Sequence, residues 1–173
     1  ELSGHMYVRR MSGSDRYATA AAVAQEVVGM SAATDVLIAR GDGFADALAA
    51  GPLAYAAELP MLLVSGSSVP GATSDALATL GVTRAVVLGG ESAVPRSVAG
   101  DLGVDYERAG ADDRYGTAVA VAEYGVAHGW VTWDTVGLAT GVQFPDALGG
   151  GAAVGSDRGV LLLTLFAALP DAT

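Results

Sequence analysis

Short runs of uninterrupted apolar residues alternate along this chain with longer stretches in which apolar residues recur every three or four positions. The short runs are DVLIA (35–39), MLLVS (61–65) and AVVLGG (85–90). Each is too short for a buried helix and apolar throughout, which predicts strands covered on both faces. Between them lie stretches of helical period. Ala20, Val23, Ala24 and Val27 fall on one face of a helix that starts at Asp15, with Asp15 or Ser14 as its N-cap. ADALAAGPLAYAA (45–57) predicts a helix kinked at Gly51-Pro52. GATSDALATLG (71–81) predicts a helix stopped by Gly81, and SAVPRSVAGDL (92–102) a short last one. After residue 112 the order starts again: a helix from Asp113, a strand TVGLA, a helix from Pro145 and a strand GVLLLT. Strands buried on both faces and separated by helices predict an α/β fold with parallel sheets, right-handed crossovers and any ligand beyond the carboxyl ends of the strands.

The second round also repeats the first in its letters. SDRYATAAAVA from Ser14 returns as DDRYGTAVAVA from Asp112, and the preceding Arg10 returns as Arg108. FADAL at Phe44 returns as FPDAL at Phe144, PMLLVS at Pro60 as GVLLLT at Gly159, and VPGAT at Val69 as LPDAT at Leu169. The chain therefore reads as tandem repeats of about a hundred residues, one full unit and roughly two-thirds of another. The boundaries expected are a tag or linker remnant at 1–9, a first repeat at 10–107 and an incomplete second at 108–173. SGHM at Ser3–Met6 resembles a cloning remnant, so the natural N terminus is expected elsewhere.

Composition narrows the chemistry. The chain has 173 residues, no Cys and two His, so disulfides, thiolate chemistry and a zinc site are not expected, and no cofactor is expected. The formal charge is −10 and all basic residues are Arg, which argues against nucleic-acid partners unless arginines gather locally. The longest apolar stretch, from Phe44, is broken by Asp46, Pro52, Glu58 and Pro60, so membrane insertion is not expected.

The strand-end residues are RGDGFAD (40–46), SGSS (65–68), GGES (89–92) and TGVQFPD (140–146). Gly89 and Gly90 could cradle an anion or simply form a tight turn. Asp46 and Asp146 either stabilise the first turn of a helix or present a carboxylate to a strand-end cleft; Phe44 and Phe144 read as core anchors. No phosphate loop with its Lys and no G-x-S-x-G elbow is present, and His128 sits at a helix end. The repeated motif Asp15, Arg16, Tyr17, Thr19, matched by Asp113, Arg114, Tyr115, Thr117, puts an arginine in a first helical turn, where the dipole disfavours a cation by roughly 0.3–1 kcal/mol. A carboxylate, with Asp46, Asp146 or an acid of the neighbouring copy as candidates, is the expected structural partner, and a ligand anion the alternative.

Taken together, R-x-x-[SG]-x-D-R-Y-x-T-A, F-x-D-A-L, P-[IM]-L-L and V-x-x-L-G-G resemble the type 2 cell-wall-binding repeat of Gram-positive bacteria, over Arg10 to Thr173. The resemblance implies a Toprim-like or flavodoxin-like parallel α/β unit, repeated around a pseudo-threefold axis. It also implies a non-catalytic module on the extracellular cell surface that anchors an exported protein by binding an anionic wall polymer or glycan. Further repeats of the chain, or self-association, are the other implied partners. The polymer-binding P-I-L-L of the family corresponds to Pro60, Met61, Leu62 and Leu63, and in the second copy to Gly159, Val160, Leu161 and Leu162. Two other readings stay open: an α/β hydrolase or nucleotide-binding enzyme using the strand-end loops, and a structural spacer.

Overall fold

The computed structural model describes residues 7–31, 33–143 and 145–173. The Ser3–Met6 segment and Phe144 lie outside the described residues. The first repeat runs α1 (Arg16–Met30), β1 (Asp35–Arg40), α2 (Ala45–Ala49), α3 (Gly51–Ala56), β2 (Met61–Val64), α4 (Gly71–Leu80), β3 (Arg84–Leu88) and α5 (Arg96–Gly100). Then come β4 (Asp105–Ala109), α6 (Arg114–Ala127), β5 (Val136–Thr140), α7 (Pro145–Ser156) and β6 (Val160–Thr164). Asp15 caps α1, its side chain accepting from the Ala18 amide at 2.8 Å. Proline at the second position of α3 does more than kink the expected helix: it divides it into two short ones. Gly81 ends α4 in the left-handed conformation at φ 68°.

All strand pairs are parallel, in a four-stranded sheet of order β2-β1-β3-β4 and a two-stranded one of β5-β6. The fold is α/β, with helices on both sheet faces. Val36 and Ile38 pack with Leu62, Val87 and Val98 on one side, under α1, α4 and α5. Leu37, Val86 and Leu88 pack on the other with Leu53, Val121 and Val160, so the first repeat's sheet and the second repeat's α6 and β6 share one core. A seam of small residues, among them Ala45, Ala118, Ala139 and Ala147, joins them further.

Strand β4 was not expected. Its residues, DYERA, alternate poorly and three of the five are exposed, so no apolar period betrays it. It crosses the place where the repeats divide in sequence, adding residues of the second repeat's lead-in to the first repeat's sheet.

The register corrects one alignment. β1 pairs Leu37 with Met61, and β5 pairs Gly137 with Leu161. Glu58 and Arg158 share a positive φ, 53° and 55°. Thr73 donates to the Leu63 carbonyl at 2.5 Å and Thr173 to the Leu163 carbonyl at 2.8 Å. The equivalents of Pro60–Leu63 are therefore Val160–Leu163, not Gly159–Leu162. The proline is replaced by valine, and the three apolar residues after it are kept as leucine.

Candidate functional site: a cleft between the repeats

The two repeats enclose a cleft of about 570 Å³ at the carboxyl ends of β1 and β3. Its walls are the loop after β1 with the start of α2 (Arg40 to Asp46), the loop after β3 (Gly90 to Ala93), and the entry to α6 (Ala111 to Arg114). A parallel sheet places its ligand-accessible loops here; the second repeat supplies the far wall.

The DRY motif organises this end of both repeats. Asp113 caps α6 as Asp15 caps α1, accepting from the Gly116 amide at 2.8 Å. Arg16 donates through Nη1 to the Gly41 carbonyl at 2.6 Å, and Arg114 donates in the same way to the Gly141 carbonyl. Tyr17 lies so close to Gly41 that a Cβ there would stand 2.7 Å from its ring; Tyr115 and Gly141 repeat the arrangement at the same distance. Thr19 accepts from the Gly13 amide at 3.0 Å and Thr117 from the Ala111 amide at 3.1 Å. The carboxylate expected as the arginines' partner is thus replaced by a backbone carbonyl. Both arginines are exposed, and among the described residues neither forms an ion pair. A carbonyl acceptor carries no residue type, but Gly41 and Gly141, a hundred residues apart, were the visible trace of it.

Asp46 lies half-buried in the first turn of α2 against Gly89, whose φ is 91° and where any Cβ would collide with the carboxylate. Gly90 is pressed against the Ala111 carbonyl. The glycine pair is therefore explained by close approach of Asp46 and of the second repeat. Burial pushes the Asp46 carboxyl above its ordinary range, and the Arg114 cation pulls it part of the way back. No hydrogen bond reaches it from the described residues. Arg40 grips Asp42 through Nε and Nη2, the latter at 2.7 Å, and donates through Nη1 to the Ser92 carbonyl at 3.2 Å. Asp42 is held below the ordinary carboxylate range by that guanidinium. Phe44, expected in the core, is 37% exposed, with the Arg114 guanidinium 5.7 Å from its ring centre.

The other candidate residues are not in the cleft. Asp146 sits exposed at the start of α7. Pro60 and Leu62 are buried, whereas Met61 and Leu63 line a separate apolar groove of about 800 Å³ between α1, α3 and α7. Ser65 and Ser68 are occupied with each other, the Ser65 hydroxyl accepting from the Ser68 amide at 2.9 Å in a turn. His128 Nδ1 donates to the Tyr124 carbonyl at 2.8 Å, at the end of α6 remote from the cleft. With a rise of about 1.5 Å per residue, the length of α6 keeps it roughly 20 Å away from Arg114. Among the described residues no helix is long and apolar enough to cross a membrane.

The sequence pattern of the Cell wall binding domain 2 (CWB2) family matches residues 10–99 and 108–173. N-acetylmuramoyl-L-alanine amidase LytC of Bacillus subtilis (strain 168) is 32% identical over 119 residues, which cover 67% of this chain and 24% of that protein. Cwp6 from Clostridium difficile superposes with a TM-score of 0.83 at 23% identity, over 92% of this chain and 25% of that one. Cwp8 from the same organism gives 0.71 at 21%, over 92% and 28%. This chain thus spans about a quarter of the length of the proteins it resembles, and the two structural likenesses speak for the fold.

Proposed function

This chain belongs to the cell wall binding domain 2 family, and we propose that its two repeats, 10–107 and 108–173, bind an anionic wall polymer non-covalently in the cleft between them. In that role it holds an exported protein at the cell surface and performs no chemistry itself. The observation that carries the reading is the gathering of arginines at one end of an acidic chain. Arg40 and Arg114 line the cleft, while Arg16 and Arg108 brace neighbouring loops by donating to the Gly41, Gly89 and Val94 carbonyls. A net charge of −10 repels a polyanion in general, and Arg40 is paired with Asp42, so the attraction in this reading comes from the Arg114 guanidinium, which donates through Nη1 to a backbone carbonyl and forms no ion pair among the described residues. Asp46, Asp112 and Asp113 also line the cleft and are able to accept from sugar hydroxyls, so the site suits a sugar polymer carrying phosphate or carboxylate rather than a bare polyanion.

Met61 and Leu63 serve a different contact in this reading. Val121 on α6 is buried against the first repeat, 1% exposed, whereas its equivalent Val23 on α1 is 41% exposed. Leu148 on α7 is 60% exposed, and its equivalent Leu48 is partly buried in the seam. The apolar groove thus brings together both halves of the contact that joins the two repeats, each unoccupied. A further repeat, or another copy of the chain, fits there.

Co-sedimentation with purified Gram-positive walls tests the binding. The chain is expected to pellet with intact walls, to be released by soluble wall polymer, and to stay in solution with walls stripped of that polymer by mild acid. Undiminished binding to stripped walls would make peptidoglycan the ligand and sink the polymer reading.

A further inference from the structure

Residues Tyr7–Met11 lead into α1 as β4 leads into α6, and the two lead-ins are anchored alike. Glu107 accepts from the Tyr124 hydroxyl at 2.7 Å; Arg9, its equivalent, donates to Glu26, the equivalent of Tyr124, at 2.6 Å. The Thr19 and Thr117 hydroxyls hold the Gly13 and Ala111 amides in the same way. Beyond these anchors the two segments part. Asp105–Ala109 is a parallel strand on β3. Tyr7–Met11 pairs with no strand, and Tyr7, Val8 and Met11 are 91%, 55% and 43% exposed. Arg108 donates to the Gly89 and Val94 carbonyls, at 2.6 and 2.8 Å, in the loop that follows β3. Arg10, its equivalent, has no partner among the described residues. Ala109 is 3% exposed, whereas Met11 stands in the open.

We propose that Tyr7–Met11 is a preset edge strand that adds in parallel to the β3-type strand of another repeat of this family, with Arg10 clasping two carbonyls of the loop after that strand. Main-chain pairing gives such an addition its affinity, and the arginine fixes its register. Anchoring by Glu26 and Thr19 orders the segment beforehand, which lowers the cost of docking. The open edges within this chain do not serve. β3 is already covered by β4, and the free edge of β5 belongs to a β1-type strand, which takes β2- and β3-type neighbours. The partner is therefore a repeat whose β3-type strand lacks a following β4. The proposal concerns how repeats are joined and does not depend on what the cleft binds.

Grafting supplies such a partner. Residues 74–104 of this chain, appended after Thr173, the equivalent of Thr73, give the second repeat α4-, β3- and α5-type elements without a β4-type strand. A control graft of residues 74–112 brings its own. Amide hydrogen exchange at Val8–Met11 is expected to slow by about tenfold or more with the shorter graft and to stay unchanged with the control. Arg10→Ala should restore fast exchange in the shorter graft and leave the ungrafted chain as stable as before. Slowing that grows with protein concentration places the partner repeat in a second copy; slowing independent of concentration places it in the same chain. Exchange at Val8–Met11 as fast with the shorter graft as without it, while the amides of the grafted copy of Ala85–Leu88 are themselves protected, overturns the proposal.

Discussion

Replacing Arg16 with alanine removes a guanidinium that donates to the Gly41 carbonyl and, among the described residues, forms no ion pair, its charge acting only weakly on Asp42. A hydrogen bond from a charged donor contributes roughly 1.5–3 kcal/mol. Solvent reaches this one, which moves it to the lower end. Removing a cation from the first turn of α1 returns about 0.3–1 kcal/mol from the helix dipole. The balance is a loss of about 1 kcal/mol, against the roughly 3–5 kcal/mol expected on breaking a buried ion pair. Arg114→Ala removes the equivalent bond and also the cation beside Phe44, worth about 0.5–1 kcal/mol at an exposed site. It should therefore cost about 1.5–2 kcal/mol. Urea denaturation at neutral pH measures both, provided the slope with denaturant is unchanged. A loss of 3 kcal/mol or more for Arg16→Ala would restore the buried-pair reading. Equal losses for the two variants would remove Phe44 from the account. Wall binding separates them further, because Arg114 lines the cleft and Arg16 does not. At matched folded fractions only Arg114→Ala should bind less.

The Asp46 carboxyl binds its proton more readily folded than unfolded, so its contribution to stability falls as pH rises from the ordinary value of 3.8 through the raised one. Asp46→Asn should gain on the natural chain over that interval and remain the more stable above it, as denaturation at a series of pH values would show; a constant difference would refute the burial argument. Gly81→Ala and Gly89→Ala both force a side chain into a left-handed backbone, at about 1–2 kcal/mol. Gly81 opens onto free space and Gly89 onto the Asp46 carboxylate, so the second must cost more, and Asp46→Ala should relieve the excess in a double-mutant cycle. Asp15→Ala and Asp113→Ala each lose a helix cap and should cost about 1 kcal/mol by thermal or urea unfolding.

Much of the fold was legible because burial on both faces writes itself as uninterrupted apolar runs. β1, β2, β3 and β6 announce themselves so, and Gly81 marks its helix end. The duplication was legible because the DRY motif and F-x-D-A-L recur in order. What stayed hidden depends on backbone or on the partner repeat. β4 is polar because one of its edges and much of its surface face water. The arginines' acceptors are carbonyls, which no residue type encodes. Asp46 was singled out from its position after Phe44, but its approach to Gly89 joins two loops far apart in sequence and leaves no local pattern. Pro60 to Leu63 drew notice as a motif, and only the sheet register separates the buried Pro60 and Leu62 from Met61 and Leu63 in the groove.

Calorimetric titration of the chain with soluble anionic polymer released from Gram-positive walls by mild acid tests the central claim most directly, run on the natural sequence and on Arg114→Ala under conditions where both are folded. The account predicts saturable binding by the natural chain that weakens with added salt. For the variant it predicts an affinity lower by about tenfold or more, the loss of one charge-assisted contact. Equal affinity of the two proteins, with equal salt dependence, would contradict the placement of the polymer in the cleft between the repeats.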